Sequence, residues 1–347
     1  MSDVDIRITG RAGRITLTRP QALNAMSYDM CLAIEKALDL WRDDPLVEIV
    51  VIDAEGERAF CAGGDIQELY DTGRNGNFLY GQTFWADEYR LNAKIFHYPK
   101  PYIAFMQGFT MGGGVGISCH GSHRIVGETS QIAMPECGIG LVPDVGGSLL
   151  LAQAPGRCGE YLGTTATRMD AADAIYAGFA DYFLPEDEWP DLIAKLEQTA
   201  DHTLIDDRAR APSNARLEHQ QPEIDRLFAG ETMADICRML ERDASDFASA
   251  AKTAISRVSP LSAACTIEMI HRLRGTDAIE KALDLEYRFT YRAAEFGDFL
   301  EGIRAAIIDK DRAPKWQHDN AGAVTLSNIS KMLRPLGPHA LKLEEHA

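Results

Sequence analysis

The stretch QGFTMGGGVGISCHGSHRIVGETSQIAMPECGIGLVPDVGG, residues 107–147, decides how this chain is read. Gly112–Gly114 follows the apolar run Tyr102–Met106 and precedes Val115–Cys119, a pattern that predicts a strand, a glycine turn and a helix start. Glycine there lets a ligand touch the backbone. Further on, Glu136 and Asp144 stand in a Gly- and Pro-rich segment that is otherwise nearly all apolar, surroundings that perturb carboxylic acids. The same logic recurs upstream, where Ala59-Phe-Cys-Ala-Gly-Gly64-Asp65 passes from strand to glycine to a short helix from Ile66.

Working outward, Asp5–Thr9 and Arg14–Thr18 alternate around Gly10-Arg-Ala-Gly13, a hairpin pattern. Ser27 is placed to cap a helix with the apolar stripe Met30, Ile34, Ala37, Leu38 and Trp41, and Val47–Ile52 reads as a buried strand. Residues 71–83, with three glycines, read as a loop; Phe84–His97 reads as a helix carrying Glu88 and broken by Tyr98-Pro-Lys-Pro101. Beyond the central stretch come helices at Gly147–Ala152 and Met169–Ala177 and a strand at Asp181–Leu184. From Glu186 to Pro314 the pattern is helical, with segments at Thr232–Arg242, Pro260–Arg274 and Thr276–Ala294. A polar patch around Pro212 divides a catalytic core, 1–200, from a helical region, 201–316; residues 317–347 read as a tail with one amphipathic helix.

Composition narrows the partners. The 347 residues carry a formal charge of −17, with 46% hydrophobic residues. An acidic chain offers no clustered Lys and Arg for nucleic acid or an anionic membrane, so a small molecule is the expected partner. Residues 101–122 lack charge over a length that could span a bilayer, but six glycines, a proline, Gln107, Ser118 and His120 favour a buried βα unit. Seven cysteines form no C-x-x-C pair, and Cys61, Cys119 and Cys137 sit in apolar contexts typical of reduced thiols. With the acidic opening MSDVDIRITG, which resembles neither a secretory signal nor a transit peptide, this leads us to expect a cytoplasmic protein. His97, His120 and His123 have no metal-like spacing, and no metal is expected.

Taken in order, Arg19-Pro-x-Ala-Leu-Asn-Ala25, Ala59-Phe-Cys-Ala-Gly-Gly-Asp-Ile66, Gly112-Gly-Gly114, Met134-Pro-Glu136 and Pro143-Asp-x-Gly-Gly147 resemble the crotonase (enoyl-CoA hydratase/isomerase) superfamily. Glu88-Tyr89-Arg-Leu-Asn92, Glu286-Tyr-Arg288 and Glu301-Gly-x-Arg304-Ala through Lys315-Trp316 resemble its branch that hydrolyses 3-hydroxyisobutyryl-CoA in valine breakdown. The resemblance implies an α/β fold, a crotonase-like spiral of ββα turns with a C-terminal helical region that commonly serves oligomer contacts. It also implies an acyl-CoA substrate and no cofactor beyond the coenzyme A of that substrate. By the same resemblance Gly64 and Gly113 form an oxyanion hole, Ala62, Gly64, Asp65 and Ile66 bind CoA, Glu136 and Asp144 are catalytic, and Glu88 helps hold the substrate. Hydratases of this superfamily carry a second glutamate two residues past the triple glycine, where this chain has Gly116.

Plainer readings stand beside these. The triple glycine could serve close packing, and a dinucleotide fingerprint fails because Ile117 fills its last glycine position. Glu136 and Asp144 could be cap or turn residues, and Glu88, beside Asp87 and Arg90, could face solvent. A hydratase or isomerase of the same fold, or a silent acyl-CoA-binding protein, are the rivals to the hydrolase.

Overall fold

A computed structural model describes residues 3–343. Its first sheet orders six strands as β1-β2-β3-β5-β7-β9, and its second orders three as β4-β6-β8. Their ranges are β1 Val4–Thr9, β2 Ala12–Leu17, β3 Ile49–Ala54, β4 Ala59–Cys61, β5 Tyr102–Met106, β6 Phe109–Met111, β7 His123–Val126, β8 Gln131–Ala133 and β9 Tyr182–Phe183. Only β1 and β2, the expected hairpin, run antiparallel. Each of β3, β5 and β7 hands over after a few residues to a short strand of the second sheet, and a helix follows. That is the ββα spiral the resemblance implies.

The period of two along the strands explains why the large sheet is buried on both faces. Val50, Ile52, Ala104, Met106 and Val126 point into the main core, while Ile49, Val51, Ile103, Phe105 and Ile125 point the other way. There they meet Trp189, Leu192 and Leu196 of the helix Trp189–Thr199. The main core runs on without a break into the C-terminal helices Pro260–Leu273 and Ile279–Phe296. The first helix, α1 (Tyr28–Arg42), starts as read: Ser27 accepts from the Met30 N–H, and Met30, Ile34, Ala37, Leu38 and Trp41 are buried.

Several expectations shift. The supposed loop at 71–83 is mostly helix, split between α2 (Gln67–Arg74) and α3 (Phe78–Phe96). Two of its three glycines serve contact, since a Cβ on Gly73 would stand 2.9 Å from Leu300 and one on Gly81 3.1 Å from Trp85, while Gly76, at φ 76°, makes the turn between the helices. β3 begins two residues later than Val47. The strand feeding the triple glycine is β6 and not β5, and the short strands β7 and β8 carry too few residues to show a period. Met169 pairs with Ile132 as an isolated bridge, so the next helix is only Ala171–Tyr176. The stretch read as a tail folds back: Ile329, Met332 and Leu333 of the helix Leu326–Leu333 are buried, and Arg292 donates to the Met332 and Arg334 carbonyls. Among the described residues no helix is long and apolar enough to cross a membrane, and residues 101–122 form the βα unit. All seven thiols are unpaired, with Cys61, Cys119 and Cys137 buried.

Candidate active site

A cleft of about 470 Å³ opens where the two sheets meet the C-terminal helices. Ala62, Gly64, Asp65, Ile66, Glu88, Gly113, Glu136 and Asp144 all line it, so every residue singled out from the sequence converges on one place. Apolar Phe84, Trp85, Leu141, Val145 and Phe299 form much of the remaining wall.

The glycine side is built from two turns. Gly63, at φ 114°, and Gly112, at φ 48°, adopt backbone that side chains rarely tolerate. The residues that follow them, Gly64 and Gly113, line the cleft. Ala62 and Asp65 spend their N–H groups on the Leu23 and Met26 carbonyls, and Arg19 pairs with Asp65 at 3.1 Å. Between them the Gly64 N–H finds no acceptor among the described residues, and neither does the Gly113 N–H at the first residue of helix α4 (Gly113–Ser118). A Cβ built on Gly113 would lie 3.4 Å from the Gly64 nitrogen, so the two donors are neighbours. Two free backbone donors side by side suit an oxygen that gains negative charge.

Carboxylates stand against the same turns. A Cβ on Gly112 would stand 2.7 Å from Glu136 Oε1, and one on Gly113 3.0 Å from Glu88 Oε1, so these acids flank the triple glycine. Glu88 is 3% exposed, which removes the solvent-facing reading. Glu136 is buried as well, and its Oε2 has no hydrogen-bond partner among the described residues. Burial, then the nearby acids with Asp144 first, raise the pKa of both well above the ordinary carboxylate value. Asp144 accepts from the Tyr89 hydroxyl at 2.7 Å; burial raises it to about 7 although that bond favours the anion.

Asp144 opens a tight turn in which Gly147 N–H donates to its carbonyl at 2.7 Å, with Val145 and Gly146 at φ 55° and 79°. Positive φ on a β-branched residue is strained, and it persists because other groups hold it. His120 donates through Nε2 to the Val145 carbonyl at 2.7 Å, a structural role for that histidine. Burial keeps it neutral, lowering its pKa to about 4. Glu286, fully buried on the helix Ile279–Phe296, accepts from Gly146 N–H at 2.8 Å, from Ser148 N–H at 3.1 Å and from the Ser148 hydroxyl. Burial raises it to about 8. Sequence reading placed Glu286 and Tyr89 in motifs but gave neither a task; only the fold brings them to Asp144.

Position 116 is closed. A Cβ on Gly116 would lie 2.6 Å from Asn92 Nδ2 and 2.8 Å from Val145 Cβ, so no side chain fits there without displacing both. The site therefore holds Glu136 and Glu88 beside the triple glycine and Asp144 as a third acid in the same cleft, with position 116 filled by its neighbours.

Comparison with known proteins agrees with this architecture. The family model described as enoyl-CoA hydratase/isomerase matches residues 12–333. The chain is 36% identical to a protein of Danio rerio named 3-hydroxyisobutyryl-CoA hydrolase, mitochondrial, over 99% of this chain and 92% of that one. A crystal structure titled as an enoyl-CoA hydratase from Rhodobacter sphaeroides is 58% identical with a TM-score of 0.96, over 99% of this chain and 100% of that one. Another, titled as a carnitinyl-CoA dehydratase from Mycobacterium thermoresistibile, is 35% identical with a TM-score of 0.94, over the full length of both. On its sequence, its spiral fold and its paired glycine donors, this chain belongs to the enoyl-CoA hydratase/isomerase family.

Proposed function

We propose that this protein is a thioester hydrolase of short hydroxyacyl-CoA substrates, with 3-hydroxyisobutyryl-CoA the first candidate. The names of its relatives divide between hydrolase, hydratase and dehydratase, so the site has to discriminate. The observation that carries the reading is the closed position 116. The family's two-glutamate addition of water to a double bond needs a carboxylate there, and position 116 has room for none. What remains is a set suited to acyl transfer: two backbone donors, Glu136 with an unpartnered oxygen, and Asp144 held opposite.

In this mechanism the thioester oxygen enters between the Gly64 and Gly113 N–H groups, and each such donor lowers the barrier by roughly 3 kcal/mol. Glu136 acts on the carbonyl carbon as nucleophile or as the base that activates water. Either way the C–S bond breaks, the acyl group gains OH from water, and the sulfur leaves as CoA thiol with the other proton. Asp144 relays a proton or binds the substrate hydroxyl; Glu88, which lines the cleft beside Gly113, helps hold that hydroxyl end. Residues Ala62 to Ile66 form the rim along which the CoA portion lies. The test is a panel of hydroxyacyl- and enoyl-CoA thioesters read in parallel for free thiol and for enoyl absorbance. Thiol release supports hydrolysis; enoyl turnover without it supports the hydratase reading.

A further inference from the structure

Glu286 is a buried acid that the mechanism above leaves unused, and its surroundings are specific. Its two oxygens divide the work: Oε2 accepts from Gly146, and Oε1 accepts from both the N–H and the hydroxyl of Ser148. All three donors follow directly on Asp144. Among the described residues the carboxylate has no cation partner, and it lies 140 residues from the turn it grips. One turn further along the same helix, Thr290 stands 3.4 Å from the Tyr89 hydroxyl that donates to Asp144. A single C-terminal helix thus supports the Asp144 turn from the backbone side and Asp144 itself from the side-chain side. The turn needs support, since Val145 sits at φ 55° and would relax if released.

We infer that Glu286 is a positioning residue of the reaction: by gripping Gly146 and Ser148 it holds the strained Val145 turn so that Asp144 faces Glu136 across the cleft. The inference rests on the catalytic role proposed for Asp144. A carboxylate that merely closed the first turn of helix α5 (Gly147–Gln153) would matter for stability and not for turnover.

Glu286→Gln separates the two. Glutamine offers an oxygen to only one side of the grip, so the other side meets an amide that donates, and the turn loosens with little change in volume. A misplacement on the scale of 1 Å lowers catalysis by up to about 100-fold. We therefore expect kcat for thiol release to fall about 10- to 100-fold while KM changes by less than about 2-fold. Glu286→Asp, which keeps the charge but loses reach, should fall as far. In the Asp144→Asn background the Glu286→Gln change should lower kcat by less than about 2-fold, because the acid it positions is gone. Wild-type kcat in Glu286→Gln, or the same loss with and without Asp144, overturns the inference. Should Glu286→Gln fail to fold, Ser148→Ala removes one of the three donors and goes through the same cycle; an unchanged kcat there overturns it equally. Wild-type activity is measured first, so the two proposals fail separately. If the wild type turns over only enoyl-CoA, hydrolysis is refuted and the Glu286 series is read on that reaction; no turnover of either kind overturns both.

Discussion

The turns at Gly63–Gly64 and Gly112–Gly113 are set by glycine backbone geometry, the first also tied by backbone bonds to Leu23 and Met26, whereas the turn at Asp144–Gly147 holds its acid with side chains 55 and 140 residues away. The difference has a physical cause. A glycine at positive φ reverses the chain at no steric cost, so a strand, a glycine and a helix start are sufficient. A carboxylate in an apolar wall costs free energy to bury, and Val145 at positive φ costs more, so that turn exists only inside an assembled core. The donors depend on glycine conformation and backbone bonds, and the acids on side chains brought in by the whole fold.

The largest expected effect tests the local half. Gly113→Val places a branched side chain 3.0 Å from Glu88 Oε1 and next to the Gly64 nitrogen, filling the oxygen's place. Turnover should fall about 1,000-fold, as for loss of an oxyanion donor, with circular dichroism unchanged. Normal kinetics would move the oxyanion site elsewhere.

Glu136→Gln probes the assembled half and should cost about 100-fold or more in kcat with substrate still bound. Stability should move the opposite way. Glu136 has a raised pKa in the fold, so between the unfolded value of about 4 and its folded value the native state binds more protons than the unfolded chain. Stability from this group therefore falls as pH rises through that window, and Asp144 at about 7 and Glu286 at about 8 add to the trend. Removing the charge should raise Tm at pH 8 by roughly 2 °C or more, and by less at pH 5. A Tm that falls at pH 8 would contradict the burial account of these acids.

This contrast also explains what the sequence disclosed. That Gly64, Gly113, Glu136 and Asp144 share one cleft was legible because each lies in a short motif that resembles the family's. The hairpin, α1 and most C-terminal helices were legible from period and capping. Glu286 was not, because its spacing to Gly146 carries no periodic signal and only the packing of the helix Ile279–Phe296 brings them together. Gly73 and Gly81 misled for a related reason: glycine marks close helix packing as readily as a loop, and the partners Leu300 and Trp85 are invisible at the sequence level.

Smaller effects refine the account of position 116. Gly116→Ala should destabilise by about 1–3 kcal/mol, since its Cβ would overlap both Asn92 and Val145. Gly138→Ala, with nothing within 4 Å of the added carbon, should stay within about 0.5 kcal/mol of wild type. Denaturant melts of the pair check both; equal stabilities would mean that position 116 is open after all.

The most direct test of the central claim is a single time course of the wild type in which free thiol and enoyl absorbance are followed together, first with 3-hydroxyisobutyryl-CoA and then with a short enoyl-CoA. The account predicts thiol release from the hydroxyacyl thioester without enoyl formation, and at most trace hydration of the enoyl thioester. Rapid hydration with no thiol release would contradict it, because it would show water adding to a double bond although position 116 has no room for the second glutamate of the hydratases.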